Sequence, residues 1–356
     1  MDKKRRIGIL TQPLTTNYGG ILQNFALQKI LTQLGYEPVT IDYGKLSWVD
    51  YVHNWCSYCR AGYRGNRPEN PIANKKKQQG FRKFIDAHIC VTTPKSRKID
   101  WNLVANMHFD TLIVGSDQVW RPCYNPDITA MFLKPIENNV KKIAYAASFG
   151  TDRWEYNEKQ TIECRQLIQA FDGVSVRELS GVKLCKDYLG YSATWVLDPT
   201  LLLTKEDYVG LCGQINREEP FVFAYILDES EQKMDELQRF AHAKGMSLVV
   251  KSAGPQAKES DTIEQWLAYF RDAQFVITDS FHGTVFSILF NKDFFVYGNP
   301  ERGNSRFTSL LHLFDLQSRL VESIPLHSNT IDWTLVNSIH NEQRERAIDW
   351  LLQKLL

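Results

Sequence analysis

The groups in this sequence best placed to do chemistry are a histidine at the end of a strand-like run and two arginines soon after it. The stretch Phe275-Val276-Ile277-Thr278-Asp279-Ser280-Phe281-His282-Gly283-Thr284 passes from apolar residues into polar ones, then to a His, a Gly and an apolar pattern of helical length. That order predicts a buried strand, a tight turn and a helix packed back on the sheet. His282 then stands at or near the helix N-terminus, where free backbone N–H groups and the helix dipole favour an anion. Gly283 lets the backbone come close to a ligand or to the sheet. Downstream, Arg302-Gly303-Asn304-Ser305-Arg306 reads as a loop with two guanidinium groups. Together these residues point to a phosphate or carboxylate site. The alternative is that His282 only caps the helix and the arginines are solvated.

Other polar turns follow apolar runs. Asp110 to Val114 leads into Gly115-Ser116-Asp117-Gln118-Val119-Trp120, Val174 to Val176 into Arg177-Glu178, and Thr194 to Leu197 into Asp198-Pro199-Thr200. Asp117 is a candidate proton acceptor, or else a helix N-cap. Arg177 is a candidate anion ligand, or else an arginine at a surface or domain interface. Arg pairs with phosphate and carboxylate in bidentate geometry, so such a site needs no metal. No HExxH, no paired CxxC and no acidic cluster with metal spacing occurs, and Cys56-Ser57-Tyr58-Cys59 stands alone, so no metal is expected.

The elements that must position these groups alternate. Arg6 to Leu10 reads as a strand, the loop to Gly19-Gly20 leads to a helix from Ile21, Gly35 ends it, and Val39 to Ile41 is a second strand. This βαβ opening predicts a parallel sheet. It lacks GxGxxG and the GK[ST] of a P-loop, so a dinucleotide or ATP site is disfavoured. Residues 44–75, rich in Tyr, Trp, Gly, Pro and Asn, interrupt the rhythm as an insertion. A second alternating set starts at Phe221, after a linker over Gly210 to Pro220. The expected fold is α/β, with two Rossmann-like domains. The first spans 1–205, with its insertion over about 44–100, and the second spans 206–335. A helix at 336–356 either stays with the second or packs back on the first.

A chain of 356 residues with 43% hydrophobic and 23% charged residues supports a sizeable core. Net charge is +1, so no overall field favours nucleic acid, and an anion site must be a local cluster. No apolar run approaches the roughly 20 residues of a transmembrane helix. Ile7 to Leu10 falls short of a signal-peptide core of about 7–15 residues. Seven cysteines without a secretory signal read as reduced thiols, and the expected place is the cytoplasm.

In this order, Asn17-Tyr18-Gly19-Gly20-Ile21-Leu22-Gln23, Gly115-Ser116-Asp117-Gln118-Val119-Trp120, Val176-Arg177-Glu178, Asp198-Pro199-Thr200 and Asp279-Ser280-Phe281-His282-Gly283 resemble the motifs of the polysaccharide pyruvyl transferase family. The resemblance implies a GT-B-like arrangement, with two Rossmann-type domains facing over a cleft. It implies phosphoenolpyruvate as co-substrate without a further cofactor, and a sugar of a surface glycan, free or lipid-linked, as acceptor. Arg177, His282 and Arg302 would then hold the donor's phosphate and carboxylate, with Arg306 competing for the role of Arg302. Ser280 stands where some members carry an Arg. The ketal chemistry would have His282 transfer a proton, or only bind phosphate as the imidazolium, and Asp117 accept a proton from the acceptor hydroxyl. Asn17, Tyr18 and Gly19, with Gln118, would meet the acceptor, or else the first three form a tight turn with a stacked Tyr. Membrane association would be peripheral at most, at the inner face, and self-association stays open. Two other readings also remain open: a nucleotide-sugar glycosyltransferase of the same fold type, and a non-catalytic protein of glycan assembly.

Overall fold

The structure, a computed structural model, describes residues 4–44, 71–93, 98–136, 139–217, 219–252, 261–298 and 303–356. Residues 45–70 of the insertion, with Cys56 and Cys59, lie outside the described residues, as does Arg302.

Two parallel sheets form. The first contains β1 (Arg6–Leu10), β2 (Glu37–Thr40), β3 (Thr111–Val114), β4 (Lys141–Ala147), β5 (Gly173–Val176) and β6 (Thr194–Trp195), in the order β2-β1-β3-β4-β5-β6. The second contains β7 (Phe221–Tyr225), β8 (Ser247–Lys251), β9 (Phe275–Thr278), β10 (Asp293–Tyr297) and β11 (Leu320–Val321), in the order β8-β7-β9-β10-β11. The central strands are continuous apolar runs because helices cover both faces of a parallel sheet. Register aligns Ile9 with Ile113 and Ile113 with Ile143 in one sheet, and Ala224 with Ile277 in the other.

Helices of the first unit are α1 (Tyr18–Gln33), α2 (Pro71–His88), α3 (Trp101–Asn106), α4 (Glu158–Ile168) and α5 (Leu179–Leu184). Then come α6 (Lys205–Val209), α7 (Glu231–Ala243), α8 (Ile263–Asp272), α9 (Phe281–Leu289), α10 (Ser305–Leu313) and α11 (Trp333–Leu355). Local chemistry sets their ends. The Thr262 hydroxyl accepts from the Gln265 N–H at 3.2 Å, and Gln265 Oε1 accepts from the Thr262 N–H at 3.1 Å. This reciprocal cap starts α8, which buries Ile263, Trp266, Leu267 and Phe270 at helical spacing.

The basic segment expected as a loop turns into α10 at Ser305, and Arg306 is buried in its first turn. The C-terminal helix is also longer than the stripe over 343–356 implies. Asp332 accepts from the N–H groups of Thr334 (3.0 Å) and Leu335 (3.1 Å) and starts α11 ten residues before Gln343. Its early turns escape a hydropathy reading because His340 occupies the buried face, where its Nε2 lies 2.7 Å from the Leu201 carbonyl. Arg344 donates to the Leu202 carbonyl at 2.6 Å, and Trp350 to the Thr194 hydroxyl at 3.2 Å. The chain end is thereby anchored beside the first sheet. Leu351 is fully buried there. Leu351→Ala is expected to lower unfolding free energy by about 2–5 kcal/mol in urea titrations, as the removed methyl groups leave a cavity.

One contiguous apolar core passes through both units. It includes Ile9 and Ile113 of the first sheet, Phe223 and Val276 of the second, and Tyr208 and Phe286 between them. Tyr208 meets Phe286 edge-on at 4.9 Å.

Candidate active site

In an open α/β sheet, a crevice forms where neighbouring strands send their connections to opposite faces. The first sheet has that point between β1 and β3, the second between β7 and β9. The two points face each other. The loops after β1 and β3, the end of β7 and the turn after β9 line one cleft of about 1640 Å3, with Gln12, Asn17, Asp117, Leu227 and His282 among its walls.

The turn after β9 is built to hold a histidine at a helix start. Ser280 is the N-cap, its hydroxyl accepting from the Gly283 N–H at 3.3 Å. His282 is therefore not the cap but the second residue of α9. A Cβ on Gly283 would lie 2.3 Å from Thr278 Oγ1, so only glycine lets α9 begin this close to β9. Asp279 also stands in the cleft wall, but its carboxylate is engaged in structure. Its carboxylate accepts from the N–H groups of Leu227 (2.6 Å) and Asp228 (3.1 Å) and from Lys233 Nζ (2.9 Å), which ties down the loop after β7. His282 Nε2 is buried and has no hydrogen-bond partner among the described residues. Asp198 Oδ2 stands 3.7 Å from it, across the boundary between the units. On the other side of the ring lies Gly19, where a Cβ would fall 1.8 Å from His282 Nδ1. The N-terminus of α1 thus reaches the imidazole only because residue 19 has no side chain.

Behind this cleft the first unit holds a buried charge cluster. Arg177 donates to Asp198 Oδ2 at 2.8 Å and to Asp117 Oδ1 at 3.1 Å, and its side chain is 0% exposed. Asp117 also accepts from the Asn17 side chain at 3.2 Å and from the Gln118 N–H at 2.9 Å. Its φ of 72° is in the left-handed region, which non-glycine residues rarely adopt and which concentrates at functional sites. The N-cap alternative for Asp117 fails, because the residues after it form a turn and not a helix. Gln23, in the middle of α1, braces the turn: it accepts from the Ser116 N–H at 3.0 Å and donates to the Thr11 hydroxyl at 3.0 Å. The guanidinium groups of Arg177 and Arg306 lie 4.6 and 5.7 Å from the ring centre of Phe281, which places both cations against one aromatic side chain.

These neighbours set the charges. Burial alone would raise the Asp198 carboxyl, but His282 and Arg177 beside it, with the Thr200 hydroxyl, outweigh burial and hold it well below the usual carboxylate range. Burial also works against the charge on Arg177, yet Asp117, Asp198 and Glu178 together raise it above its ordinary value. Burial and the repulsion of Arg177 push Arg306 down to about 10, against the attraction of Glu178 and Asp117. Burial raises the Glu178 carboxyl despite Arg177 and Arg306, and its Oε1 accepts from the N–H groups of Phe149 (2.8 Å) and Gly150 (3.2 Å).

Of the residues singled out in the sequence, Asn17, Gly19, Asp117, Gln118, Ser280, His282 and Arg306 line the cleft. Two do not. Tyr18 turns into the second unit, where it stacks on Trp266 at 5.0 Å and donates to the Asp261 carbonyl at 2.7 Å. Its ring is apolar packing between the units, and its hydroxyl is already engaged. Arg177 sits in the wall behind the cleft, because two aspartates draw its guanidinium inward. Asp198 and Glu178 were passed over as site residues. Their only sequence signal was a place in the polar turns after β5 and β6. Among the described residues no group of three His, Cys, Asp or Glu side chains is arranged to hold a metal ion, and no helix is long and apolar enough to cross a membrane.

Solved structures of similar shape have little sequence in common with this chain. The S. aureus MnaA–UDP co-structure aligns with a TM-score of 0.50 at 11% identity, over 98% of this chain and 90% of that one. UDP-N-acetylglucosamine 2-epimerase from Rickettsia bellii gives 0.51 at 8%, over 99% and 96%. Arabidopsis thaliana UGT89C1 complexed with UDP gives 0.51 at 10%, over 99% and 100%. At these identities the likeness establishes the fold alone: two parallel α/β units in the arrangement of GT-B glycosyltransferases and epimerases. Among curated proteins, none matches the sequence. Residues 17–301, which include Asn17, Asp117 and His282 of the cleft but neither Gln12 nor Arg306, match the polysaccharide pyruvyl transferase family, and the chain belongs to that family.

Proposed function

We propose that the protein transfers the pyruvyl group of phosphoenolpyruvate to two hydroxyls of one sugar, in a polysaccharide or its lipid-linked precursor, giving a ketal and inorganic phosphate. The observation that carries this reading is the meeting of His282 and Arg306 in one cleft, where α1 and α9 begin. A small phosphate ester that also carries a carboxylate needs cationic donors and helix N-termini at short range. Arg306 is the donor-binding cation among the described residues, with the Ser280–Gly283 turn beside it. Arg177 acts from behind by holding the Asp117 carboxylate in place and keeping Asp198 ionised. The acceptor enters from the side of Asn17, Gly19 and Gln118.

The chemistry requires a proton on C3 of the donor and a hydroxyl oxygen on C2. The C2–O bond to phosphate then breaks with its electron pair, and a second hydroxyl of the same sugar closes the ketal as the departing phosphate takes up its proton. His282 supplies the C3 proton, since imidazole exchanges protons near neutrality. Asp117, at the cleft wall, takes the proton of the attacking hydroxyl.

The test is phosphate release from phosphoenolpyruvate that depends on a glycan acceptor. UDP raising the melting temperature, with no such release, would replace this reading by nucleotide-sugar transfer. Arg306→Lys keeps the charge and loses the fork geometry. It is expected to raise KM for phosphoenolpyruvate roughly 10- to 150-fold, the equivalent of about 1.5–3 kcal/mol for a charged hydrogen bond, with a smaller change in kcat. An unchanged KM would remove Arg306 from the donor site.

A further inference from the structure

We infer that Asp198 is the positioning residue for His282: it keeps hydrogen on Nε2 in the neutral ring, so that Nδ1 is the atom that takes up a proton and delivers it to the donor. The inference rests on the proton-transfer reading of His282 given above.

Asp198 is held at both carboxylate oxygens. Oδ1 accepts from the Thr200 N–H at 3.0 Å and the Thr200 hydroxyl at 2.6 Å, while Oδ2 accepts from Arg177 at 2.8 Å and Ser116 Oγ at 3.2 Å. Donors from three loops thus aim this carboxylate, and its side chain is 1% exposed. His282 Nε2 is a buried polar atom without a hydrogen-bond partner among the described residues, and Asp198 Oδ2 is 3.7 Å away. That separation is under 1 Å beyond a hydrogen bond of about 2.7–3.2 Å. A small approach of the two units completes it.

Other charged groups around the ring are engaged elsewhere. Asp117 is taken by Arg177, Asn17 and the Gln118 N–H. Glu178 accepts from the Phe149 and Gly150 N–H groups, and Asp279, on the same turn as His282, is held by Lys233. Arg177 and Arg306 stand over the Phe281 ring, and Arg177 is spent on Asp198 and Asp117. On the Nδ1 side lies Gly19 of the first turn of α1, and no described residue accepts a hydrogen bond from Nδ1. An acceptor at Nε2 and none at Nδ1 fixes where the hydrogen resides. Asp198 stays ionised throughout the working range, since its carboxyl is held well below the usual range.

The experiment reads the 15N shifts of the imidazole in histidine-labelled full-length protein without substrate, with the His282 signal assigned by its loss in His282→Gln. The expected result is an Nε2–H tautomer in the wild type. Hydrogen on Nδ1, or an even mixture, overturns the proposal without recourse to any variant of Asp198. In Asp198→Asn the tautomer should become mixed. With an active acceptor, kcat should fall more than tenfold and KM for phosphoenolpyruvate much less. Loss of tautomer control by such an Asp→Asn change costs roughly 10⁴-fold in a serine-protease triad. Unchanged tautomer and kcat in a folded Asp198→Asn variant also overturn it. The tautomer is read without donor or acceptor, so failure to release phosphate from phosphoenolpyruvate would refute the functional reading and leave this measurement standing.

Discussion

His282→Gln is expected to lose roughly 10²–10⁴-fold in turnover, the range for removal of a general acid–base group. Glutamine retains a side chain that can hydrogen-bond in the first turn of α9, beside the Ser280 cap, but it cannot exchange a proton near neutral pH. Phosphoenolpyruvate should therefore still bind measurably in calorimetry, while phosphate release at saturating donor collapses. His282→Ala should lose both. If His282 only binds phosphate, the glutamine variant will instead show weak donor affinity and near-normal turnover at saturation. Wild-type behaviour in both variants would reduce His282 to packing between the units, where its 3.7 Å approach to Asp198 would have no catalytic meaning.

Gly19→Ala should be nearly as severe, although residue 19 has no functional group to lose. The added Cβ would lie 1.8 Å from His282 Nδ1, and no real contact is that short. Either the imidazole rotates away from Asp198 or the N-terminus of α1 retreats from the second unit. A misplacement of about 1 Å at the chemistry can cost 10²-fold in rate, and turnover should fall by at least about that much. Overpacking of this kind also destabilises, by about 1–3 kcal/mol, seen as a lower melting temperature. Gly210→Ala is the control, since its Cβ would meet nothing within 4 Å. If Gly19→Ala turns over like the wild type, the contact between α1 and His282 is not part of the working site.

Much of the frame was legible in the residues themselves. Arg6–Leu10, Thr111–Val114 and Phe275–Thr278 are short apolar runs ended by polar turns, and each is a central strand. The helix after His282 follows from its apolar run and from a glycine that packs on Thr278. What stayed hidden has physical causes. Phe307, Leu310, Leu311 and Phe314 recur at helical spacing, but the arginines and Gly303 before them suggested a loop, so α10 and the burial of Arg306 were missed. Tyr18 sits beside residues that line the cleft, yet a helix sends successive side chains about 100° apart, so neighbours in sequence face different surroundings. Arg177 pairs with aspartates 60 residues before it and 21 after it. Those pairs depend on β5 lying between β4 and β6, with β3 beyond β4, and hydropathy does not encode strand order. For the same reason Asp198 read as the end of a strand and not as the neighbour of a histidine in the other unit.

The core that runs unbroken from Ile9 and Ile113 through Tyr208 and Phe286 to Phe223 constrains how such a protein can change over time. Neither half is an interchangeable cassette. A second unit taken from a relative would need to bring a matching inner surface for Tyr18, which lies flat on Trp266, and for the aromatic contact at Tyr208. A change at this seam is felt in both units at once, and it reaches the cleft, because Tyr18 is followed directly by Gly19, whose backbone packs on His282.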